Sequence, residues 1–230
     1  MTHQELLGFF NESADMYRFL SQVFFKELND EAIVELDRAD YPGSTGNANL
    51  DEGYHLVRRY FAFSATDRRG QLACEYARIF LAAGVFTKEQ QTAVPYESVF
   101  TGDEHIMMGD ARDDVVTRFI EDGFLVNPDL HEPEDHLAFE LEYLVNMNER
   151  ASEWTRTEDE AQLRRNVARQ LEFIEQHLLN WIPSLRDAAQ EYAKLTFYPG
   201  MLLITQGTLE QGRDLLRDIL AQLDGTSAAA

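Results

Sequence analysis

Cysteine is nearly missing from this sequence. Cys74 stands alone among 230 residues, which excludes an internal disulfide and removes any pointer to an oxidising compartment. Basic side chains are also scarce: 20 Lys and Arg face 41 Asp and Glu, a formal net charge of -21. A field of that sign repels nucleic acid and anionic lipid and draws in basic peptides, although the same charge also keeps any protein dispersed. No apolar stretch approaches the ~18 residues that suggest a membrane span. The opening MTHQELLGFFNESADMYRFL has neither a basic n-region nor a small-residue cleavage site. A cytoplasmic protein without stable membrane insertion is therefore expected.

Signatures of catalysis and cofactor binding are equally thin. Neither G-x-x-x-x-G-K-[ST] nor G-x-G-x-x-G occurs, and Ser98 lacks the G-x-S-x-G turn of a hydrolase elbow. Only Glu52 and His55 show the Glu-x-x-His spacing of a di-metal carboxylate bundle, which needs two such pairs, and His136 with Glu140 falls short of the three or four ligands zinc requires. Cys74 lies in an apolar helical pattern and reads as a small core residue. No catalytic residue, metal or cofactor is expected. The rival reading is a carboxylate- or metal-dependent hydrolase using the acidic cluster at 132–140, since paired carboxylates can act as acid and base.

What is present is helical periodicity, with no convincing alternating strands joined by hairpin turns. Leu6, Phe9, Phe10, Met16, Tyr17, Leu20, Val23 and Phe24 line one stripe of a helix over 3–28. A short helix near 30–37, a loop at 41–47 (YPGSTGN), and helices from ANLDEGYHLVRRYFAF and over 67–81 follow. Residues 82–109 read as one long connection, because they lack a sustained period and carry Gly84, Pro95, Gly102 and Gly109. Asp110 caps a helix to about 122, and Pro133 opens a strong one reaching about Arg150. Thr157 with Glu160 suggests a capping box for a helix ending near Trp181, before Pro183. Two more segments, 184–197 and 201–222, are separated by Pro199-Gly200, and the tail 225–230 should fray. Nothing divides the chain, so 1–230 reads as one all-α domain.

The most informative stretch is HEPEDHLAFELEYL, 131–144. Pro133 suits a first helical turn, and Glu134 and Asp135 there meet the positive end of the helix dipole, which requires no ligand. His136 and Glu140, four apart, share a face and are able to pair. From Phe119 to Glu149 there is no Lys or Arg, whereas nine carboxylates occur: Glu121, Asp122, Asp129, Glu132, Glu134, Asp135, Glu140, Glu142 and Glu149. Leu137, Leu141 and Leu144 bury one side of the helix, so a local negative surface edged by apolar residues is expected. For His136 taken alone, a hydrogen bond to a neighbouring carboxylate is the simpler role. Trp181 is expected to close the core.

EPEDHLAFELEYL at 132–144, with PYESVF at 95–100 and EYARIFL at 75–81, resembles the TorD/DmsD family of cytoplasmic redox-enzyme maturation chaperones. The pattern E-P-x-D-H-L-x-x-E-L is complete here in Glu132, Pro133, Asp135, His136, Leu137, Glu140 and Leu141. FIEQHLLNWIPSL at 173–185 and YPGMLLITQGTL at 198–209 extend the likeness over about the last two-thirds of the chain. Some relatives carry a Trp where this chain has Tyr96.

The resemblance implies a single-domain helical bundle of about ten helices. It implies a non-enzymatic chaperone that binds the twin-arginine signal peptide and apo-form of an exported molybdopterin oxidoreductase, delaying export until the cofactor is inserted. Its client would act on dimethyl sulfoxide, trimethylamine N-oxide, nitrate, formate or a related substrate. It would be a monomer or a helix-swapped dimer. The implied peptide site comprises Tyr96, Ser98, Val99, Glu132, Pro133, Asp135, His136 and Glu140. The 94–100 loop would pack near the acidic helix start, with Tyr96 and Val99 giving apolar contact, Ser98 a hydrogen bond, Asp135 and Glu132 facing arginine, and His136 and Glu140 holding the helix surface in shape.

Overall fold

The computed structural model describes residues 1–63, 67–81, 83 and 93–227. Ten α-helices occur among them: α1 (His3–Phe25), α2 (Asp30–Arg38), α3 (Ala48–Ala62), α4 (Arg68–Phe80), α5 (Glu97–Thr101), α6 (Asp110–Glu121), α7 (Leu137–Arg156), α8 (Glu160–Phe173), α9 (Ile182–Tyr192) and α10 (Phe197–Ser227). The described residues form no strand, only an isolated bridge between Tyr96 and His136. The all-helical expectation thus holds, in one helical domain.

Local chemistry sets most of the boundaries. Thr2 and Glu5 close a capping box on α1, while Asn29, Asn47 and Asp67 each accept a main-chain N–H at the starts of α2, α3 and α4. Several boundaries differ from the sequence reading: Gly109, without a side-chain cap, precedes α6, so Asp110 does not cap it. Asp159, not Thr157, caps α8 by accepting from the Gln162 amide. The expected helix to Trp181 instead passes into a π-helical turn at Ile174–Leu178 before Pro183 opens α9. Pro199 and Gly200 do not separate two helices either, since both lie in the first turn of α10, where a missing proline N–H goes unnoticed. That helix then runs through Ser227, past the 225–227 segment expected to fray. Of the expected 82–109 connection, residues 82 and 84–92 lie outside the described residues, and 97–101 form α5.

Two long pairings organise the core: α1 lies along α7, and α10 along α3. The second is unusually close because glycines face each other. A Cβ on Gly53 would stand 2.8 Å from the Gly200 carbonyl oxygen, and one on Gly200 would stand 3.0 Å from that of Gly53. Aromatic side chains fill the centre, with Phe24, Tyr76, Phe80 and Tyr198 meeting edge to face or tilted at ring separations of 5.2–5.8 Å. Trp181 is buried as expected, stacked on Phe100 and donating its indole N–H to the His177 carbonyl. Cys74 departs from expectation. It lies on the exposed side of α4, while its neighbour Glu75 turns inward to accept the Lys194 and Leu195 amides and to pair with Arg78. No helix among the described residues is long and apolar enough to cross a membrane.

Candidate functional site

Main-chain hydrogen bonds join the two acidic segments. The Leu137 amide donates to the Pro95 carbonyl at 2.9 Å and the Glu97 amide donates to the Asp135 carbonyl at 3.0 Å, so 95–97 and 135–137 form a two-rung ladder immediately before α5 and α7. The 94–100 segment therefore does pack against the start of the acidic helix. That helix begins at Leu137, however, and not at Glu132 or Pro133: residues 132–136 form an irregular turn that delivers the ladder. An extended His136 cannot sit inside the helix. It serves as its N-cap, the Nδ1 atom accepting the Ala138 N–H at 3.0 Å.

Burial redistributes the roles of the predicted residues. Asp135 is 0% exposed and one carboxylate oxygen accepts the Ser98 N–H at 2.9 Å, so it holds the start of α5 rather than facing solvent or an incoming arginine. Burial raises its pKa against the opposing pull of hydrogen bonds from Ser98 and of the Arg112 charge. Ser98 is buried with it and is not open to a peptide. His136 is 4% exposed, and desolvation lowers its pKa to about 4, which leaves the neutral ring that an Nδ1 acceptor requires. Among the described residues it pairs with neither Glu140 nor another carboxylate; with Nδ1 accepting, the ring proton sits on Nε2.

Glu140 is 0% exposed and both of its oxygens lack a donor. Burial, reinforced by the negative charges of Glu97 and Asp135, pushes its pKa well up, favouring the uncharged carboxyl in the core. The missing member of this knot is Glu97. It is 2% exposed and binds His177 Nδ1 at 3.0 Å and Asn180 Nδ2 at 2.9 Å. The sequence carries no spacing signal for that contact, because the partners come from the π-helical turn and its exit. The knot therefore ties α5, α7 and the α8–α9 junction together.

The surface members are fewer. Glu132 is exposed and accepts the Tyr96 hydroxyl at 2.6 Å. Pro133 and Val99 are half-buried, and Tyr96 shows only an edge, its ring 5.0 Å from that of His136. The broad negative surface expected from nine carboxylates is trimmed by arginines arriving from elsewhere. Arg112 pairs with Glu134, Arg169 with Glu121 and Asp122, and Arg18 with Glu149. With Asp135 and Glu140 buried, Asp129, Glu132 and Glu142 stay without an arginine or lysine partner among the described residues. No group of three or more His, Cys, Asp or Glu able to hold a metal occurs among the described residues, and the two buried carboxylates are closed to a substrate.

The helical bundle thus carries a small acidic face over a buried carboxylate and histidine knot, whose titratable groups act as internal fasteners. The chain belongs to the nitrate reductase delta subunit family, which it matches over residues 47–187, in agreement with the resemblance to TorD-type chaperones. It is 28% identical over 225 residues to the chaperone protein TorD of Vibrio cholerae serotype O1, covering 95% of this chain and 98% of that protein. It is 30% identical over 197 residues to that of Vibrio atlanticus, covering 82% and 87%, and 25% over 201 residues to that of Photobacterium profundum, covering 85% and 89%. These relatives are named as chaperones, not enzymes.

Proposed function

We propose that this protein is a cytoplasmic chaperone that binds the twin-arginine leader and the apo-form of an exported molybdenum-cofactor oxidoreductase, holding back export until the cofactor is loaded. The observation that carries the reading is the exposed Glu132 carboxylate, fixed by Tyr96 at the ladder between the 95–97 and 135–137 segments. A guanidinium from the leader meets Glu132, with Asp129 and Glu142 adding field, and the edge of Tyr96, Pro133 and Val99 supply apolar contact. Asp135, His136, Ser98 and Glu140 act as positioning residues that keep this face in shape. Family membership and a net charge of -21 support the same partner, because a basic leader is attracted over a distance and sheltered on contact. No bond in the client is made or broken.

Isothermal titration with a synthetic leader tests this. Binding should be saturable, weaken as salt rises, and be lost when both leader arginines are replaced by glutamine; Glu132→Gln should weaken it about tenfold. Binding that ignores the arginines would overturn the reading.

A further inference from the structure

In a chain with 41 acidic and 20 basic residues, cavities lined by carboxylates are the rule, and those beside α6 and between α1 and α2 follow it. A cavity of about 320 Å3 at the carboxyl end of α3 does not. Its walls carry Arg59 and Lys194 and neither Asp nor Glu. The side chains of Arg59, Lys194 and Gln71 in this lining have no hydrogen-bond or ion-pair partner among the described residues. Phe63, the C-cap of α3 and four residues beyond Arg59, is 68% exposed at the same cavity. The remaining wall is held firmly. Glu75 accepts the Lys194 and Leu195 amides at 2.5 and 2.8 Å, and the Thr196 hydroxyl donates to the Leu56 carbonyl at 2.9 Å. Glu75 itself is buried and paired with Arg78, so its charge is answered inside the fold.

We propose that this cavity binds a carboxylate carried on an aromatic or similarly flat apolar group. Two unpaired cations on one small cavity call for an anion, and the planar fork of Arg59 matches the two oxygens of a carboxylate. A phosphate fits less well. The main-chain amides at 194 and 195 that would cradle it are already taken by Glu75, and the helix that ends here turns its negative pole to the site. The exposed Phe63 ring offers a stacking face for the apolar part of the ligand, and Gln71 adds a neutral hydrogen-bonding group. A volume of about 320 Å3 stands at the lower end of the range for ligand pockets, which selects a compact acid. The site is independent of leader binding, because the leader brings a cation to Glu132 and this ligand brings an anion to Arg59 and Lys194.

The experiment titrates phenylacetate, acetate and benzyl alcohol into the full chain and follows the main-chain amides by NMR. Phenylacetate should shift amides at 59–63, 71 and 194–196 saturably, and bind at least about tenfold more tightly than either acetate or benzyl alcohol. Arg59→Gln and Lys194→Gln, both at exposed positions, should each weaken it about tenfold through the loss of a charge-assisted hydrogen bond. Phe63→Ser should abolish the preference over acetate, and Glu132→Gln, on the acidic face, should bind phenylacetate like the parent. An acetylated Glu-Phe-Asp amide separates two sources of the same chemistry: displacement of phenylacetate at lower concentration supports an acidic segment of a protein partner, and failure to displace it supports a free acid. Equal affinity for benzyl alcohol and phenylacetate, or affinity untouched by both cation variants, overturns the site. Phenyl phosphate binding more than about tenfold tighter than phenylacetate overturns the carboxylate assignment.

Discussion

Tyr96 and His136 face each other across one antiparallel bridge, their rings edge to face with centroids 5.0 Å apart. The contact fastens the loop before α5 to the start of α7, and most of the behaviour expected of this protein follows from how that fastening is made.

His136 should dominate the acid limb of stability. Its pKa is about 4 in the fold against 6.5 for the free side chain, so the unfolded chain binds the extra proton between those values. The contribution is complete above pH 6.5 and is lost as pH falls toward 4, amounting to roughly 3 kcal/mol. Asn is a good helix cap that does not titrate. Urea unfolding of His136→Asn between pH 4 and 7 should therefore show a flatter slope than the parent, whereas His136→Ala should lose about 1 kcal/mol of capping at neutral pH as well.

Glu140 works in the opposite direction. Its carboxyl is raised far above 4.5 by burial and by Glu97 and Asp135, so the folded protein holds a proton that the unfolded chain releases. Stability from this group is present below the ordinary carboxylate range and falls as pH rises toward its folded pKa. Glu140→Gln keeps the shape and removes the titration. The stability of the Gln variant relative to the parent should grow as pH rises above the ordinary carboxylate range in denaturant titrations, and a constant difference would show that the carboxyl is not raised in the fold.

Asp135→Ala leaves the buried Ser98 N–H without its acceptor, an omission that costs about 1–3 kcal/mol. Chemical denaturation should report the loss as a lower midpoint with an unchanged m value.

Gly53→Ala should be costly for a helical substitution. Its methyl would stand 2.8 Å from the Gly200 carbonyl oxygen and 2.8 Å from an Ile204 side-chain carbon, and overpacking of this kind typically costs about 1–3 kcal/mol. Thermal unfolding should reveal it, whereas Gly8→Ala, with nothing within 4 Å, should leave the melting temperature unchanged or slightly raised.

Cys74 should react with a maleimide dye in the native protein at one label per chain, at a rate that denaturant hardly changes, because α4 turns it outward. Protection until unfolding would restore the core role that periodicity suggested.

The sequence alone determined the all-helical class, because apolar spacing and capping residues are local properties read within a single turn or two. It also determined the acidic character and, through E-P-x-D-H-L-x-x-E-L, the family. Only tertiary structure decided which carboxylates reach solvent. The 132–136 turn peels away from the helix because its backbone groups pair with 95–97, and that pairing buries Asp135 and His136 while Glu132 stays outside. Glu97, His177 and Asn180 share one knot although no spacing announces it, and arginines from α1, α6 and α8 neutralise charges that looked unopposed in the chain. Burial and charge pairing depend on which distant segments meet, and that is settled by packing the whole bundle, not by any window of residues.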